Sequence, residues 1–198
     1  MDTPGGQDLN AREIRDMNRE HTLFAWSNQG QVDPITMVGA KGAWFWDAEG
    51  KRYLDFASQL ISVNLGHQHP KVIEAIKAQA DTLLYASPAM ATIPRGKLGK
   101  RLSEISGMKK AFFTLGGAEA VENAIKMARQ YTGKHKILTR YRSYHGGTHG
   151  AMSASGDFRR WASEPGGIPG IVRFLDPHCY RCPFGQSPAS CKRECIAH

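Results

Sequence analysis

The chain has 198 residues, of which 41% are hydrophobic, so it can bury a substantial core and is long enough for one domain or parts of two. Its 26 Lys and Arg residues outnumber the 18 Asp and Glu residues, but the basic residues are scattered, which disfavours a nucleic-acid-binding protein. The sequence has no apolar run of about 18 residues and begins without the apolar segment of a signal peptide, which disfavours a membrane partner and predicts a cytoplasmic protein.

The amino-terminal part predicts a small segment with both helix and sheet. A charged helix is expected at 8–22. Short apolar runs at 37–38, 43–46 and 53–56 alternate with glycine turns, which is typical of a small antiparallel sheet. The aromatic residues of these runs are expected in the core: Trp44, Trp46, Tyr53 and Phe56.

Longer helices are predicted from Pro70 onward. Pro70 suits a first helical turn, and apolar residues recur at helical spacing up to residue 84, so this stripe is expected to pack on the sheet. Pro94 is expected to open a second helix, which leads into a strand at 111–114. We place the domain change at this shift in pattern, which divides the chain into an amino-terminal segment, 1–68, and an α/β body, 69–198.

The segment that follows has the order strand, glycine turn and helix. After the apolar run at 111–114 comes a turn with Gly116 and Gly117, and Ala118 begins an apolar stripe of helical spacing that ends at Tyr131. Glycines let the backbone approach a ligand closely, and the first N–H groups of a helix attract an anion. The turn is therefore either a phosphate site or an ordinary strand-to-helix connection, and the spacing alone does not separate the two.

A second glycine-rich loop follows this helix. Residues 135–139 predict a strand, and residues 140–150 predict a polar loop. Strand, crossover helix and strand would form a βαβ unit, which places both loops at the carboxyl ends of parallel strands, where such sheets bind ligands. Tyr144, His145 and Gly146 supply a flat aromatic ring, an imidazole and a flexible residue, a set that suits a planar cofactor ring.

The four cysteines of the chain lie close to its carboxyl end, at Cys179, Cys182, Cys191 and Cys195. Their spacing would suit a tetrahedral zinc site. The segment between the two pairs is irregular and predicts no finger helix, so a set of reduced loop thiols is the competing interpretation, and we expect no metal site.

The motifs, taken in order, resemble those of the class III aminotransferases, pyridoxal-phosphate enzymes that include 4-aminobutyrate, ornithine and taurine aminotransferases. The resemblance rests on WDAEGKRYLD at 46–55, NLGHQHP at 64–70, GGAEAVENAIKMAR at 116–129 and YHG at 144–146. It covers the chain from about Ile35 onward. It implies an α/β fold of type I, a mostly parallel sheet with flanking helices, here incomplete and preceded by the small amino-terminal α+β segment.

The resemblance also implies site residues and a reaction. Gly116, Gly117 and Ala118 would hold the phosphate of pyridoxal 5'-phosphate, Tyr144 would stack on its pyridine ring and His145 would support that ring. The implied enzyme is a homodimeric transaminase, which moves an amino group from an amine or omega-amino acid to a 2-oxo acid.

Two positions bear on the substrate. Leu60 matches a position where the family places an apolar side chain against the substrate. Gly147 follows the YHG triplet, where relatives that act on 4-aminobutyrate or ornithine commonly carry an arginine that pairs with the substrate carboxylate. This departure favours the branch of taurine and β-alanine aminotransferases, with pyruvate and 2-oxoglutarate as alternative acceptors.

The resemblance implies further groups that we do not identify in this chain. The Schiff-base lysine and the acidic partner of the pyridine nitrogen are expected downstream of the YHG loop, beyond His198. We therefore expect an amino-terminal fragment with no catalytic residue of its own, inactive in isolation. The alternatives are an aminomutase or decarboxylase of the same fold, or a non-catalytic zinc- or phosphate-binding module.

Overall fold

The computed structural model describes residues 9–162 and 167–197. The chain forms two compact units, of which the first ends at Met90 and the second begins at Ala91. The division predicted between residues 68 and 69 stays a prediction. Within the two described ranges, no helix combines the length and the apolar character that crossing a bilayer requires.

The first unit opens with the predicted charged helix, α1 (Ala11–His21). It begins at a capping box, in which Asn10 Oδ1 accepts the N–H of Glu13 at 3.1 Å and Glu13 Oε2 accepts the N–H of Asn10 at 2.9 Å. The helix is tied to the rest of the unit by charge, because the Arg15 guanidinium lies 3.2 Å from Asp33 and 3.8 Å from Glu49.

The predicted antiparallel sheet is confirmed. Its three strands are β1 (Met37–Lys41), β2 (Trp44–Asp47) and β3 (Arg52–Leu54), in the order β1-β2-β3. The buried carboxylate of Asp47 closes the turn between β2 and β3, since it accepts the N–H of Lys51 at 2.8 Å and the hydroxyl of Tyr53 at 2.7 Å.

The predicted aromatic core is partly wrong. Trp46 and Tyr53 are half-buried, and the Tyr53 ring stacks on Phe45 with centroids 4.9 Å apart. Trp44, however, is 41% exposed and Phe56 is 95% exposed. Trp44 opens β2 and Phe56 follows the end of β3, so both lie where the sheet no longer covers them.

A single helical turn, α2 (Ser58–Ile61), follows β3 and has a left-handed backbone. The φ angles of its four residues are 49°, 46°, 58° and 64°. For L-residues this region brings Cβ close to the following carbonyl oxygen and costs about 1–2 kcal/mol per residue. The sequence did not predict this turn, because it contains no glycine.

The helices predicted at Pro70 and Pro94 are present as α3 (Pro70–Thr82) and α4 (Ile93–Ser106). The expected packing of the α3 stripe on the sheet is wrong, because its apolar side chains line an open groove and several are exposed: Val72, Ile76, Leu83 and Leu84. Helix α3 is about 20 Å long, whereas strands of three to five residues extend only about 10–17 Å. The sheet is too small to cover this face.

The second unit contains a parallel pair of strands. After α4 come α5 (Gly117–Thr132), β4 (Ile137–Arg140), α6 (His149–Ala154), β5 (Ile171–Phe174) and α7 (Glu194–Ala197), with short 3-10 helices at Phe158–Ala162 and Cys179–Arg181. Strands β4 and β5 pair from Ile137 with Ile171 to Arg140 with Phe174. The core lies where α5 and α6 meet this pair, at Ile125, Ala151 and Ala154.

The prediction of a strand at 111–114 is wrong within the described residues. These residues join no ladder, and Phe112 and Phe113 are 64% and 42% exposed. A strand requires a neighbour to bond with, and β4 pairs with β5 instead. The parallel connection of this unit therefore runs from β4 through α6 to β5, and not from 111–114 through α5 to β4.

Candidate functional site

The first turn of α5 has the features of an anion site. Gly116 is its N-cap residue, with an extended backbone, and no side chain caps the first turn. A Cβ added to Gly116 or Gly117 would meet no atom within 4 Å, so the backbone here faces open space. Uncapped N–H groups at the positive end of a helix favour a negatively charged ligand.

Two hydrogen bonds fix the turn that leads into α5. The N–H of Leu115 donates to Glu119 Oε2 at 2.9 Å, and Thr114 Oγ1 donates to the carbonyl oxygen of Gly116 at 3.0 Å. The carboxylate of Glu119 is thus engaged by the turn that precedes the helix. This contact holds the two glycines in place while their backbone stays accessible.

The YHG loop lies directly against this helix start. Gly146 is buried and has a φ of +138°, and a Cβ added to it would overlap Ala118, 2.7 Å from the Ala118 Cα atom. Only glycine permits both this conformation and this approach. The structure therefore brings the two glycine-rich segments together, at Ala118 and Gly146.

Glu122, which the sequence analysis did not single out, connects the same two segments. From α5, its Oε1 atom accepts three hydrogen bonds: from Thr148 Oγ1 at 2.6 Å, from the Gly150 N–H at 2.8 Å and from the Ala151 N–H at 3.1 Å. The hydrogen bond from Thr148, with those from the two backbone N–H groups, holds the pKa of Glu122 below its ordinary value although burial opposes the shift. The sequence signal for this role is weak, because it consists only of a glutamate one helical turn beyond Ala118.

The two ring-bearing residues of the loop have different surroundings. Tyr144 is 39% exposed, and the guanidinium of Arg159 lies 4.9 Å from the centre of its ring, a cation–π contact that the sequence analysis also missed. His145 is half-buried, and its backbone N–H donates to Ser155 Oγ at 2.9 Å. Together with the apolar face of α5, His145 lines a cavity of about 520 Å³.

Leu60 belongs to the first unit and lies within the left-handed turn α2, with 71% of its surface exposed. The residues predicted to bind the cofactor all belong to the second unit.

The four cysteines are free thiols. Cys179 and Cys191 are exposed, and Cys182 and Cys195 are half-buried. In the described part of the chain, no three His, Cys, Asp or Glu side chains lie close enough to hold a metal ion. The structure gives the four-thiolate zinc hypothesis no support.

The sequence profile of the family "Aminotransferase class-III" matches residues 26–197. The chain belongs to the class III aminotransferases. Among curated relatives, the leucine/methionine racemase of Thermococcus litoralis is 38% identical over 186 residues, which are 92% of this chain and 42% of the racemase. The acetylornithine aminotransferase of Methanocaldococcus jannaschii is 45% identical over 128 residues, which are 62% of this chain and 32% of that enzyme.

A solved class III structure superposes on most of the chain. The taurine:2-oxoglutarate aminotransferase of Bifidobacterium kashiwanohense, in complex with PLP and glutamate, matches with a TM-score of 0.84 and 44% sequence identity, over 88% of this chain and 40% of that chain. The α/β fold of type I predicted from the class III motifs is confirmed. The chain spans less than half the length of these relatives, and the roles of its individual site residues stay predictions.

Proposed function

We propose that this chain supplies the phosphate- and ring-binding part of a pyridoxal-phosphate-dependent transaminase. The observation that carries the proposal is the uncapped first turn of α5, whose glycines face open space while Gly146 of the YHG loop packs on Ala118. A phosphorylated planar cofactor fits this arrangement, because backbone N–H donors suit its phosphate and the neighbouring Tyr144 suits its ring.

Each site residue then has a role. The N–H groups of Gly117 and Ala118, with Gly116 beside them, would bind the cofactor phosphate, Tyr144 would stack on the pyridine ring and His145 would support that ring. Bound pyridoxal phosphate supplies an electron sink for bonds to the amino-bearing carbon of the substrate.

The two carboxylates of α5 have hydrogen-bond partners of their own. Glu119 accepts the N–H of Leu115, and Glu122 accepts donors from Thr148 and the start of α6, so neither carboxylate caps the N–H groups of the first turn. The helix N-terminus therefore keeps its attraction for an anion.

The reaction proposed for the complete protein moves an amino group from an amine or omega-amino acid to a 2-oxo acid. Gly147 offers no charge to a substrate carboxylate at its position, and Leu60 contributes an apolar contact. We assign no catalytic residue to this chain. A homodimer, which the family resemblance implies, belongs to the same proposal, and so does the cytoplasmic location expected from the sequence.

Amino-acid racemisation is a second candidate, because a relative that matches over 92% of this chain is a leucine/methionine racemase. The two reactions differ in the substrates that they consume. A transaminase consumes one 2-oxo acid for each donor, whereas a racemase inverts the configuration of one amino acid and consumes no acceptor.

Product analysis of the purified holoenzyme tests the proposal. It is incubated with taurine, β-alanine or leucine, with and without 2-oxoglutarate or pyruvate, and the amino acids are quantified by chiral chromatography. We expect glutamate or alanine to form in proportion to the donor lost. Inversion of leucine without any acceptor would contradict transamination and support the racemase.

A further inference from the structure

The left-handed turn α2 needs contacts that hold it. Its hydrogen bonds are helical in spacing, with the Ile61 N–H donating to the Ala57 carbonyl at 2.9 Å and the Ser62 N–H to the Ser58 carbonyl at 2.8 Å. All four of its residues have positive φ and none is glycine. Such strain persists where the surrounding structure imposes it, and it concentrates at binding sites.

A buried pair of side chains, Asp55 and His67, provides these contacts. His67 Nε2 lies 2.7 Å from Asp55 Oδ2, and the two side chains are only 8% and 5% exposed. The same carboxylate accepts two hydrogen bonds from Gln59 of the turn, one from its N–H and one from its side-chain amide, both at 3.2 Å. Asp55 thus links the second residue of α2 to His67.

The carboxylate of Asp55 stays ionised in this buried position. Burial alone would raise the pKa of Asp55, but the hydrogen bonds from His67 and from Gln59 outweigh it and leave the pKa below its ordinary value. An ionised carboxylate accepts stronger hydrogen bonds than a neutral one, so the link to the turn is kept.

The pair is itself anchored to the sheet. His67 exchanges two backbone hydrogen bonds with Gly42, at 2.8 Å and 3.0 Å, and the Asp55 N–H donates to the Ala43 carbonyl at 2.8 Å. Gly42 and Ala43 form the connection between β1 and β2. The geometry of the turn is therefore fixed relative to the most regular part of the first unit.

Within the described residues, the apolar side chains of the strained turn are largely exposed, so their burial does little to stabilise it. Leu60 and Ile61 are 71% and 77% exposed. We infer that the Asp55–His67 pair is a positioning device, which holds α2 in its left-handed form and thereby fixes the exposed side chain of Leu60, the residue proposed to contact the carbon chain of the amino donor. This inference rests on the proposed function, because the contact of Leu60 with the substrate is part of it.

Amide hydrogen exchange of the holoenzyme tests whether the Asp55–His67 pair holds the turn, and this measurement does not depend on enzyme activity. The reporters are the amides of Ile61 and Ser62, whose hydrogen bonds close the turn. In Asp55→Asn and in His67→Ala, their protection should fall at least about tenfold, because the contacts that hold the turn are lost. Asp33→Asn, which removes an exposed carboxylate, is the matched control and should leave protection unchanged.

A glycine rescue separates positioning of the turn from general damage to the fold. Glycine adopts positive φ without the steric cost of a Cβ atom, so adding Ser58→Gly to Asp55→Asn should restore most of the lost protection. Unchanged protection in Asp55→Asn, or a loss that Ser58→Gly does not reverse, would overturn the inference.

Donor kinetics test the link to Leu60. We expect Asp55→Asn to raise KM about tenfold for donors with an apolar chain while kcat changes less than about twofold, because binding and not chemistry is affected. The double variant Asp55→Asn/Leu60→Ala should discriminate donors no worse than Leu60→Ala alone. Additive effects of the two substitutions on donor discrimination would contradict action through Leu60. A wild-type enzyme that shows no transamination, while its variants show the expected loss of amide protection, would contradict the proposed function alone.

Discussion

Gly146 lies against Ala118 with a φ of +138°, so this one residue sets the distance between the YHG loop and the first turn of α5. Glycine is required there for two separate reasons, the backbone conformation and the absence of a Cβ atom. The two reasons can be separated experimentally, because Gly133 at the end of α5 has a φ of +66° and no neighbour within 4 Å of an added Cβ.

Gly146→Ala should therefore destabilise the protein more than Gly133→Ala. Both variants place an L-residue at a positive φ angle, which costs about 1–3 kcal/mol. Gly146→Ala adds an overlap with Ala118, which raises the total by about a further 1–3 kcal/mol. Urea denaturation measures both free energies of unfolding, and equal losses would show that the loop does not pack closely on α5.

Among single residues, the sequence predicts a role where the pattern that indicates it lies within a few neighbouring positions. Gly116 and Gly117 are predicted because a glycine turn before an apolar helix is visible in a short stretch of sequence. Glu122 is missed because its partners, Thr148 and Gly150, lie 26 and 28 residues away. Hydrogen-bond partners at such separations depend on the fold, and a helical glutamate is usually a solvated residue.

At the scale of elements, Glu122 joins two helices. Its carboxylate caps the start of α6 from the second turn of α5, and this contact sets the loop that carries Tyr144. The folded-state pKa of Glu122 is lowered by the hydrogen bond from Thr148 first and by those from the α6 backbone next. A lowered pKa contributes stability that is present above the unfolded pKa and is lost as the pH falls through the folded pKa.

The free energy of unfolding should accordingly fall as the pH is lowered from 7 to below the ordinary glutamate pKa of 4.5, and Glu122→Gln should show a smaller fall. Chemical denaturation at a series of pH values measures the slope. Glu104→Gln in α4, which removes an exposed partner of Arg101, is the control for a general loss of charge. The same slope in wild type and Glu122→Gln would contradict the role of this carboxylate.

Helices are the elements that the sequence predicts best. The starts of α3 and α4 are signalled by Pro70 and Pro94, and the end of α4 is marked by Gly107 with a φ of +71°. The strand expected at 111–114 fails because pairing depends on a distant partner that a local pattern does not reveal. The left-handed turn α2 is not predicted, because it contains no glycine and because the Asp55–His67 pair that holds it joins residues 12 positions apart.

At the scale of the whole molecule, each of the two units exposes large apolar side chains. In the first unit, Val72 and Ile76 of α3 are 41% and 61% exposed, and in the second unit Phe112 and Phe113 are 64% and 42% exposed. Surfaces of this kind are normally covered by further protein.

The 198-residue chain should therefore bind a hydrophobic dye strongly and self-associate. Replacing Ile76 of α3 and Leu84, which follows that helix, by lysine should lower the self-association, because these side chains are exposed and apolar. Light scattering and dye fluorescence measure the effect, and Lys77→Gln on the same helix is the control. Self-association that is unchanged by the two lysine substitutions would contradict this prediction.

The central claim is that the first turn of α5 binds the cofactor phosphate, and the most direct test compares the affinities of the purified protein for pyridoxal phosphate and for unphosphorylated pyridoxal. In the wild type, pyridoxal phosphate should bind at least about a hundredfold more tightly, a difference of about 2.7 kcal/mol. Gly116→Asp places a carboxylate at the N-cap, where it can accept the same N–H groups and repel the phosphate, so most of this preference should disappear while the helix persists. Gly96→Asp in α4 is the control. Equal affinity for the two ligands in the wild type, or an unchanged preference in Gly116→Asp, would contradict the account.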